Sequence, residues 1–494
     1  MRSEPLPRLW IVAGFLGLAA LCLPFADFQT AGHDPWATLA RMGAGFLRPD
    51  FSGVELLARA VALTVSFAVA GVALGGAAGL VMAPFYHLRP VRGLAIALRS
   101  VHELFWALML MQVAGIGALT GVLAIALPYA GIFAKVLAEY LDEADPRPAR
   151  TLAPGTDALS RFLWARAPLI RREAVNYALY RVECGLRSSA VLGFIGLPTL
   201  GFQLDTAFRQ GDYGTASAIM ILYVALIVSV RQRMHPRLAL LWLAAAPAVL
   251  TTVHHPPMAQ GALLRFLTED IIPAPILNGN WAGLLPWLGM LARTMILPGI
   301  VATIIVAQIA LVVTGAVALL TMGLSVPRVA GRAGAVAGHL ALVILRSFPE
   351  YMLAYLFMQA FGPSMLPAVL ALGLHNGAII GHLLGRQAAG LSLRPDAPRG
   401  VTLWAWEYVP RLFGNFVALV LYRWEIILRE TAIMGFLGVA TLGFYLDSAI
   451  GELRMDRAMV ILIATGLLTV AVDALSQRLR AMQGPRRGTV SAVA

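Results

Sequence analysis

Long apolar runs, separated by short clusters of arginine, glycine and proline, make up most of the chain. In the first half the runs are Leu9 to Phe25, Leu56 to Met82, Leu94 to Val113, Leu119 to Leu141, Ala174 to Leu192 and Ala216 to Val230. In the second they are Leu238 to Leu250, Thr294 to Met322, Val336 to Gln359, Leu366 to Leu384, Phe413 to Phe436 and Ala458 to Val472. The apolar positions are continuous and do not alternate, which fits helices and not the strands of a membrane barrel. A helix rising about 1.5 Å per residue crosses a hydrocarbon layer of about 30 Å in roughly 20 residues. The pattern predicts an all-α, polytopic membrane protein with about twelve transmembrane helices.

The connections carry the polar signal. The longest, Asp142 to Arg172 and Arg386 to Arg411, are rich in arginine, as is the shorter Arg231 to Arg237. Assigning arginine-rich connections to the cytoplasm gives one consistent alternation with both termini cytoplasmic. Leu9 to Phe25 then reads as a retained first span that also serves for targeting.

Composition narrows the class further. With 59% hydrophobic and 13% charged residues in 494, a soluble molecule would lack the polar surface to cover itself, so the surrounding partner is membrane lipid. The net charge of +12 is scattered between apolar runs without a basic patch, which argues for loop anchoring and against nucleic acid. Cys22 and Cys184 lack the spacing of a metal or redox motif, and no metal site is expected.

One stretch occurs twice. Tyr180 to Asp205 reads YRVECGLRSSAVLGFIGLPTLGFQLD, and Tyr422 to Asp447 reads YRWEIILRETAIMGFLGVATLGFYLD. The copies align without a gap at an offset of about 242 and agree at more than half of their positions, so the chain is a tandem duplication. A second echo, Leu98-Arg99-Ser100 with Glu103 and Gln112, matches Leu345-Arg346-Ser347 with Glu350 and Gln359. The repeats are placed at 1–235 and 236–494.

The shared positions include charges inside apolar runs: Arg181, Glu183 and Arg187 in one copy, Arg423, Glu425 and Arg429 in the other. A charge at a helix centre costs roughly 2.5 to 3.5 kcal/mol on insertion scales, so these residues must face protein or water. Glu183 with Arg187, and Glu425 with Arg429, are four apart and share a helix face. Arg99 with Glu103, and Arg346 with Glu350, have the same spacing in reverse order. Two readings stay open: each pair neutralises itself and fixes packing, or the arginines line a passage and attract an anion. The shared glycines, Gly193, Gly196 and Gly201 with Gly435, Gly438 and Gly443, likewise suit either a helix cap and turn or a gate lining a cavity.

The YR-x-E-x-x-x-R-x-x-A-x-x-G-x-x-G stretch, with the preceding segment RSVHELFWALML, resembles the permease subunit of phosphonate-type ATP-binding-cassette (ABC) importers, here two copies fused in one chain. The resemblance implies two parallel repeats of the importer permease fold in the bacterial inner membrane, importing phosphonate, phosphite or a phosphate ester. It also implies two ATP-binding subunits and an extracytoplasmic substrate-binding protein as partners. Family permeases dock on the ATPase through a cytoplasmic loop with a glutamate, a glycine and a later proline. Here those positions fall on Ala149, Gly155 and Pro168 in the first half and on Leu391, Ala397 and Pro410 in the second. Gly155, Pro168, Ala397 and Pro410 therefore mark the expected coupling segments, although both loops depart from the pattern.

No cofactor is expected on this chain. Its only lysine, Lys135, has no GxxxxGK around it, so ATP would be used by a partner subunit, and no catalytic cluster stands out. The rival class is an ion-coupled secondary transporter of a small anion, which also joins parallel repeats. The large cytoplasmic loops lie inside each half and not between the halves, which favours the importer.

Overall fold

The computed structural model describes residues 6–29, 34–153, 155–233 and 235–482. Its longer helices are α1 (Leu6–Cys22), α2 (Pro35–Leu47), α3 (Val54–Met82), α4 (Arg89–Ser100), α5 (Glu103–Ala114), α6 (Ala118–Glu143), α7 (Ala167–Val191), α8 (Leu200–Gln210) and α9 (Tyr213–Arg233). They continue with α10 (Pro236–Leu250), α11 (Leu297–Met322), α12 (Pro327–Ser347), α13 (Glu350–Phe361), α14 (Met365–Ala389), α15 (Val409–Phe436), α16 (Leu442–Gly451) and α17 (Met455–Ala481). Among the described residues there is no strand, and the protein is an all-α, polytopic membrane protein.

Seven helices among the described residues are long and apolar enough to cross a membrane, or up to nine if each of two bent pairs forms one span. The expected twelve are not reached, for three physical reasons. α1 has 17 residues and α10 has 15, so they extend only about 26 and about 22 Å at 1.5 Å per residue. α15 has 28 residues but carries Arg423, Glu425, Arg429 and Glu430 within two turns. The expected third span, Leu94 to Val113, is broken by a 95° bend between α4 and α5. There Val101 is extended, and His102 caps α5, its Nδ1 accepting from the Leu104 amide at 3.2 Å. Val336 to Gln359 breaks at the matching place, because Pro349 forces Phe348 out of the helical region (φ −70°, ψ 124°). Arg99 and Glu103 therefore sit on different helices, as do Arg346 and Glu350, and their four-residue spacing does not give them a common helix face. The chain ends, assigned to the cytoplasm from the arginine pattern, lie outside the described residues.

The chain forms two compact units, Leu39–Leu277 and Met1–Thr38 with Asn278–Ala494. In the first, α3 and α6 pack closely because Gly71, Gly75 and Gly79 of α3 leave no room for a Cβ against Ile125, Tyr129 and Phe133. Small residues at helical spacing let membrane helices approach this way. In the second unit the same role passes to the other helix of the pair: Gly373, Gly377 and Gly381 of α14 lie against Val313, Val317 and Thr321 of α11.

These units cut the chain elsewhere than the sequence repeats do. α10, which opens the second repeat, lies along α3, with Arg59 Nη2 donating to the Thr252 carbonyl at 2.9 Å. α1, which opens the first, lies along α11, and the Phe15 ring meets Trp424 edge-on at 4.8 Å. Gln308, buried in α11, donates from Nε2 to the Phe15 carbonyl at 3.0 Å. A buried amide needs a partner, and α1 supplies it. The expected boundary at 235/236 coincides with neither end of these units, and each leading helix is built into the unit that holds most of the other expected repeat.

Candidate translocation site

The duplicated segment builds the same elbow twice. α7 passes through the tight turn Leu192–Ile195 into Gly196, at φ 89°, and Thr199 opens α8. α15 reaches Gly438, at φ 95°, before Thr441 opens α16. Glycine takes this left-handed conformation without the steric cost that a Cβ brings. A Cβ on Gly201 would overlap the Ala190 carbonyl, and one on Gly193 the Phe202 amide; Gly443 and Gly435 meet Ala432 and Phe444 in the same way. Gly193 and Gly201, and their counterparts Gly435 and Gly443, thus let two backbone segments touch. The capped turn is present in both repeats.

Each elbow is braced from a third helix. The first amides of a helix lack partners within it, and here the Leu200 amide donates to Thr64 Oγ1 of α3 at 3.0 Å. The Leu442 amide donates to Thr303 Oγ1 of α11 at 3.1 Å. α7 with its extensions and α8 meet at a bend of 51°. Gly196 and Gly438 stay exposed at the tips, with Ile116 and Pro363, themselves equivalent, as nearest neighbours at 3.8 and 3.9 Å from a built Cβ.

The charged positions fall within about one to four turns before each elbow, all half-buried: Arg181, Glu183 and Arg187 on α7, Arg423, Glu425 and Arg429 on α15. The two leading arginines have different surroundings. Arg181 donates from Nε to the Tyr177 hydroxyl at 2.8 Å, and its guanidinium lies 4.8 Å from the Tyr177 ring centre and 5.5 Å from that of Tyr180. Tyr177 is held edge-on by Phe133 at 5.3 Å and Tyr140 at 6.2 Å. Arg423 instead donates from Nη1 to Asn376 Oδ1 at 3.2 Å, and Asn376 Nδ2 donates to Glu430 Oε2 and the Leu372 carbonyl, both at 3.0 Å. Beside it, His375 Nε2 lies 3.7 Å from Glu350 Oε2. Aromatic faces hold the first arginine, and an amide bridge ties the second to a carboxylate.

The arginine-rich segments before α7 and α15, expected on the cytoplasmic side, also repeat. Each contains a five-residue π-helical turn, Phe162–Arg166 and Trp404–Tyr408, followed by Pro168 or Pro410 in the first turn of the long helix. Proline suits this place because its missing amide would be unpaired there anyway. Gly155 has φ 92°, but in the second segment the left-handed residue is Gly400, at φ 69°, and not Ala397. A Cβ makes that conformation costly, so the turn falls on the next available glycine. Arg166 Nη2 donates to the Leu141 carbonyl at 2.8 Å, and Trp404 Nε1 to the Leu319 carbonyl at 3.0 Å, tying each segment to a neighbouring helix.

No family model and no solved structure matches the chain. It is similar to the phosphate-import permease protein PhnE of Mycolicibacterium smegmatis, 27% identical over 456 residues, 86% of this chain and 84% of that one. It is also similar to the phosphite transport system permease protein PtxC of Stutzerimonas stutzeri, 31% identical over 236 residues, 46% of this chain and 85% of that one. The chain belongs to this family of phosphonate- and phosphite-type ABC permeases.

As a family permease the chain is a transport component and not an enzyme. Within this permease the residues that hold the arginines escape a reading of the duplicated motif. Asn376 and Glu430 align with Tyr129 and Ser188, and Tyr177 with Leu419, so comparing the repeats hides them. Thr64 and Thr303 lie far from the motif, and the only available signal was a hydroxyl inside each apolar run.

Proposed function

We propose that this permease is the membrane-spanning core of an ATP-driven importer for a small phosphorus oxyanion, a phosphonate first of all, with phosphite and phosphate esters as alternatives. Two permease copies are fused, so one chain supplies both halves of the pathway. The observation that carries this reading is the fit of lengths. One relative is matched along most of this chain and of itself, while another is covered to 85% by 46% of this chain. A double-length protein made of two permease units produces that pattern.

Partner ATP-binding subunits would dock on two levers, Gly155 to Pro168 and Arg399 to Pro410, and an extracytoplasmic binding protein would deliver the anion. Each lever runs directly into the helix that carries the charged residues and the elbow. A push on the π-helical turn would therefore move Arg181 or Arg423 together with the glycine elbow that serves as gate. ATP is bound by the partner, and the chain sits in the bacterial inner membrane.

The test is reconstitution in proteoliposomes with the partner ATPase and binding protein, using labelled methylphosphonate, phosphite and phosphate as probes. Uptake that needs ATP and the ATPase supports the proposal. Uptake driven by an ion gradient alone would replace it with a secondary transporter.

A further inference from the structure

The two levers differ in how they are fastened. In the second, Glu407 lies inside the π-helical turn and is only 9% exposed although it belongs to a polar connection between long helices. Its Oε1 accepts from Arg394 Nη2 at 2.8 Å, and its Oε2 lies 3.4 Å from Arg411 Nη1. Arg411 Nη1 also donates to the Ser392 carbonyl at 3.0 Å. One carboxylate thus joins the start of the loop, the turn and the first turn of α15. Two further bonds fix the same segment to its surroundings: Gly400 N donates to the Arg328 carbonyl at 3.0 Å, and Trp404 Nε1 to that of Leu319.

The first lever has none of the three charges. Ala165, Leu152 and Leu169 stand where Glu407, Arg394 and Arg411 stand in the second. Its loop is held by local bonds, Thr156 N to the Ala153 carbonyl and Ser160 N to Asp157 Oδ2, with Arg166 reaching Leu141. A charge-assisted hydrogen bond is among the stronger contacts a loop can make, and an exposed pair is worth less. Here the Glu407 carboxylate is buried while the Arg394 and Arg411 side chains are 75% and 39% exposed, so the tether rests on its buried end and on having two arginines.

We infer that Glu407 is a positioning residue that clasps the second lever to α15, so that the two levers are mechanically unequal. The second moves as one body with its helix; the first yields before it transmits. The inference rests on the lever reading given above and adds to it a division of labour: the stroke of a bound ATPase reaches the pathway mainly through the second half.

Two measurements on the full-length chain in lipid nanodiscs or proteoliposomes test this. Hydrogen exchange should be slower over Ser392 to Arg411 than over Thr151 to Leu169, and Glu407→Gln should speed the former about tenfold. Methylphosphonate taken up per ATP hydrolysed, with partner subunits present, should fall about threefold in Glu407→Gln. The exchanged pair Arg394→Glu with Glu407→Arg should recover part of both effects, which a simple folding defect would not. Exchange that is unchanged in Glu407→Gln overturns the clasp. Faster exchange with an unchanged uptake-to-ATP ratio overturns the positioning role while leaving the permease reading intact. A parent chain whose exchange shows the clasp but whose uptake needs no ATP overturns both the lever reading and the positioning role.

Discussion

The Leu442 amide donates to the Thr303 hydroxyl at 3.1 Å, a bond between residues 139 apart in sequence, and Leu200 makes the same bond to Thr64 at 3.0 Å. The start of α8 or α16 is therefore capped by a helix that precedes the whole charged segment. Since both hydroxyls are buried, nothing else replaces the cap when it is removed. Thr64→Val and Thr303→Val should each lower stability by about 1 kcal/mol, read as a lower midpoint in thermal unfolding of the detergent-solubilised protein. Serine at either position should retain most of it. An unchanged midpoint in both valine variants would show that the cap is dispensable.

The six elbow glycines should not respond alike. Gly196→Ala and Gly438→Ala make only ordinary van der Waals contact, with Ile116 and Pro363, and strain only the left-handed backbone, a cost of about 1 kcal/mol. Gly201→Ala and Gly443→Ala drive a Cβ into a carbonyl of the preceding helix and should cost about 3 kcal/mol or more. Size-exclusion chromatography of fluorescent fusions separates the outcomes, with a monodisperse peak for the first pair and loss of it for the second. Equal behaviour of all four would contradict the close approach.

The two arginine sites call for different substitutions. Tyr177→Phe removes the acceptor of Arg181 but leaves its ring, and uptake should change about twofold at most. Asn376→Leu breaks the bridge from Arg423 to Glu430 inside the helix bundle and should destabilise by about 1 to 3 kcal/mol. Arg187→Ala and Arg429→Ala decide between passage and packing: lost uptake in a well-assembled protein favours the passage, and failed assembly favours packing.

The Glu407 clasp has a defined pH sense. Arg394, and then Arg411, hold the Glu407 carboxyl below its ordinary value of 4.5, while Asp396 near Arg394 is the acidic neighbour. A folded value below the unfolded one means that the contribution is fully present above pH 4.5 and is lost as pH falls through the lowered folded value. Protection over Ser392 to Arg411, taken as exchange relative to the intrinsic rate of each amide at that pH, should hold steady from about pH 7 to about pH 5 and fall only under stronger acid. In Glu407→Gln that acid-dependent step should vanish.

Much of this architecture was legible along the chain. Apolar length announced membrane helices, because the hydrocarbon layer fixes how many residues a span needs. The duplication, the α7 and α15 charges and the glycine turns were legible because each is a local property of a few adjacent residues repeated in register. The breaks at His102 and Pro349 were harder to see, since the flanking apolar runs continue across them without a change in composition.

What the residue order determined by itself is the class of molecule, its two repeats and the family to which it belongs: these follow from hydrophobic length and from motifs read over a few turns. Only the tertiary structure decided which helices go together and what holds the charges. Gln308 reaches back to Phe15, Asn376 forward to Arg423 and Glu430, and Glu407 across its own loop to Arg394. Such partners are chosen by the need of a buried polar group for a nearby donor or acceptor. They differ between the two repeats, so neither spacing nor internal comparison can reveal them.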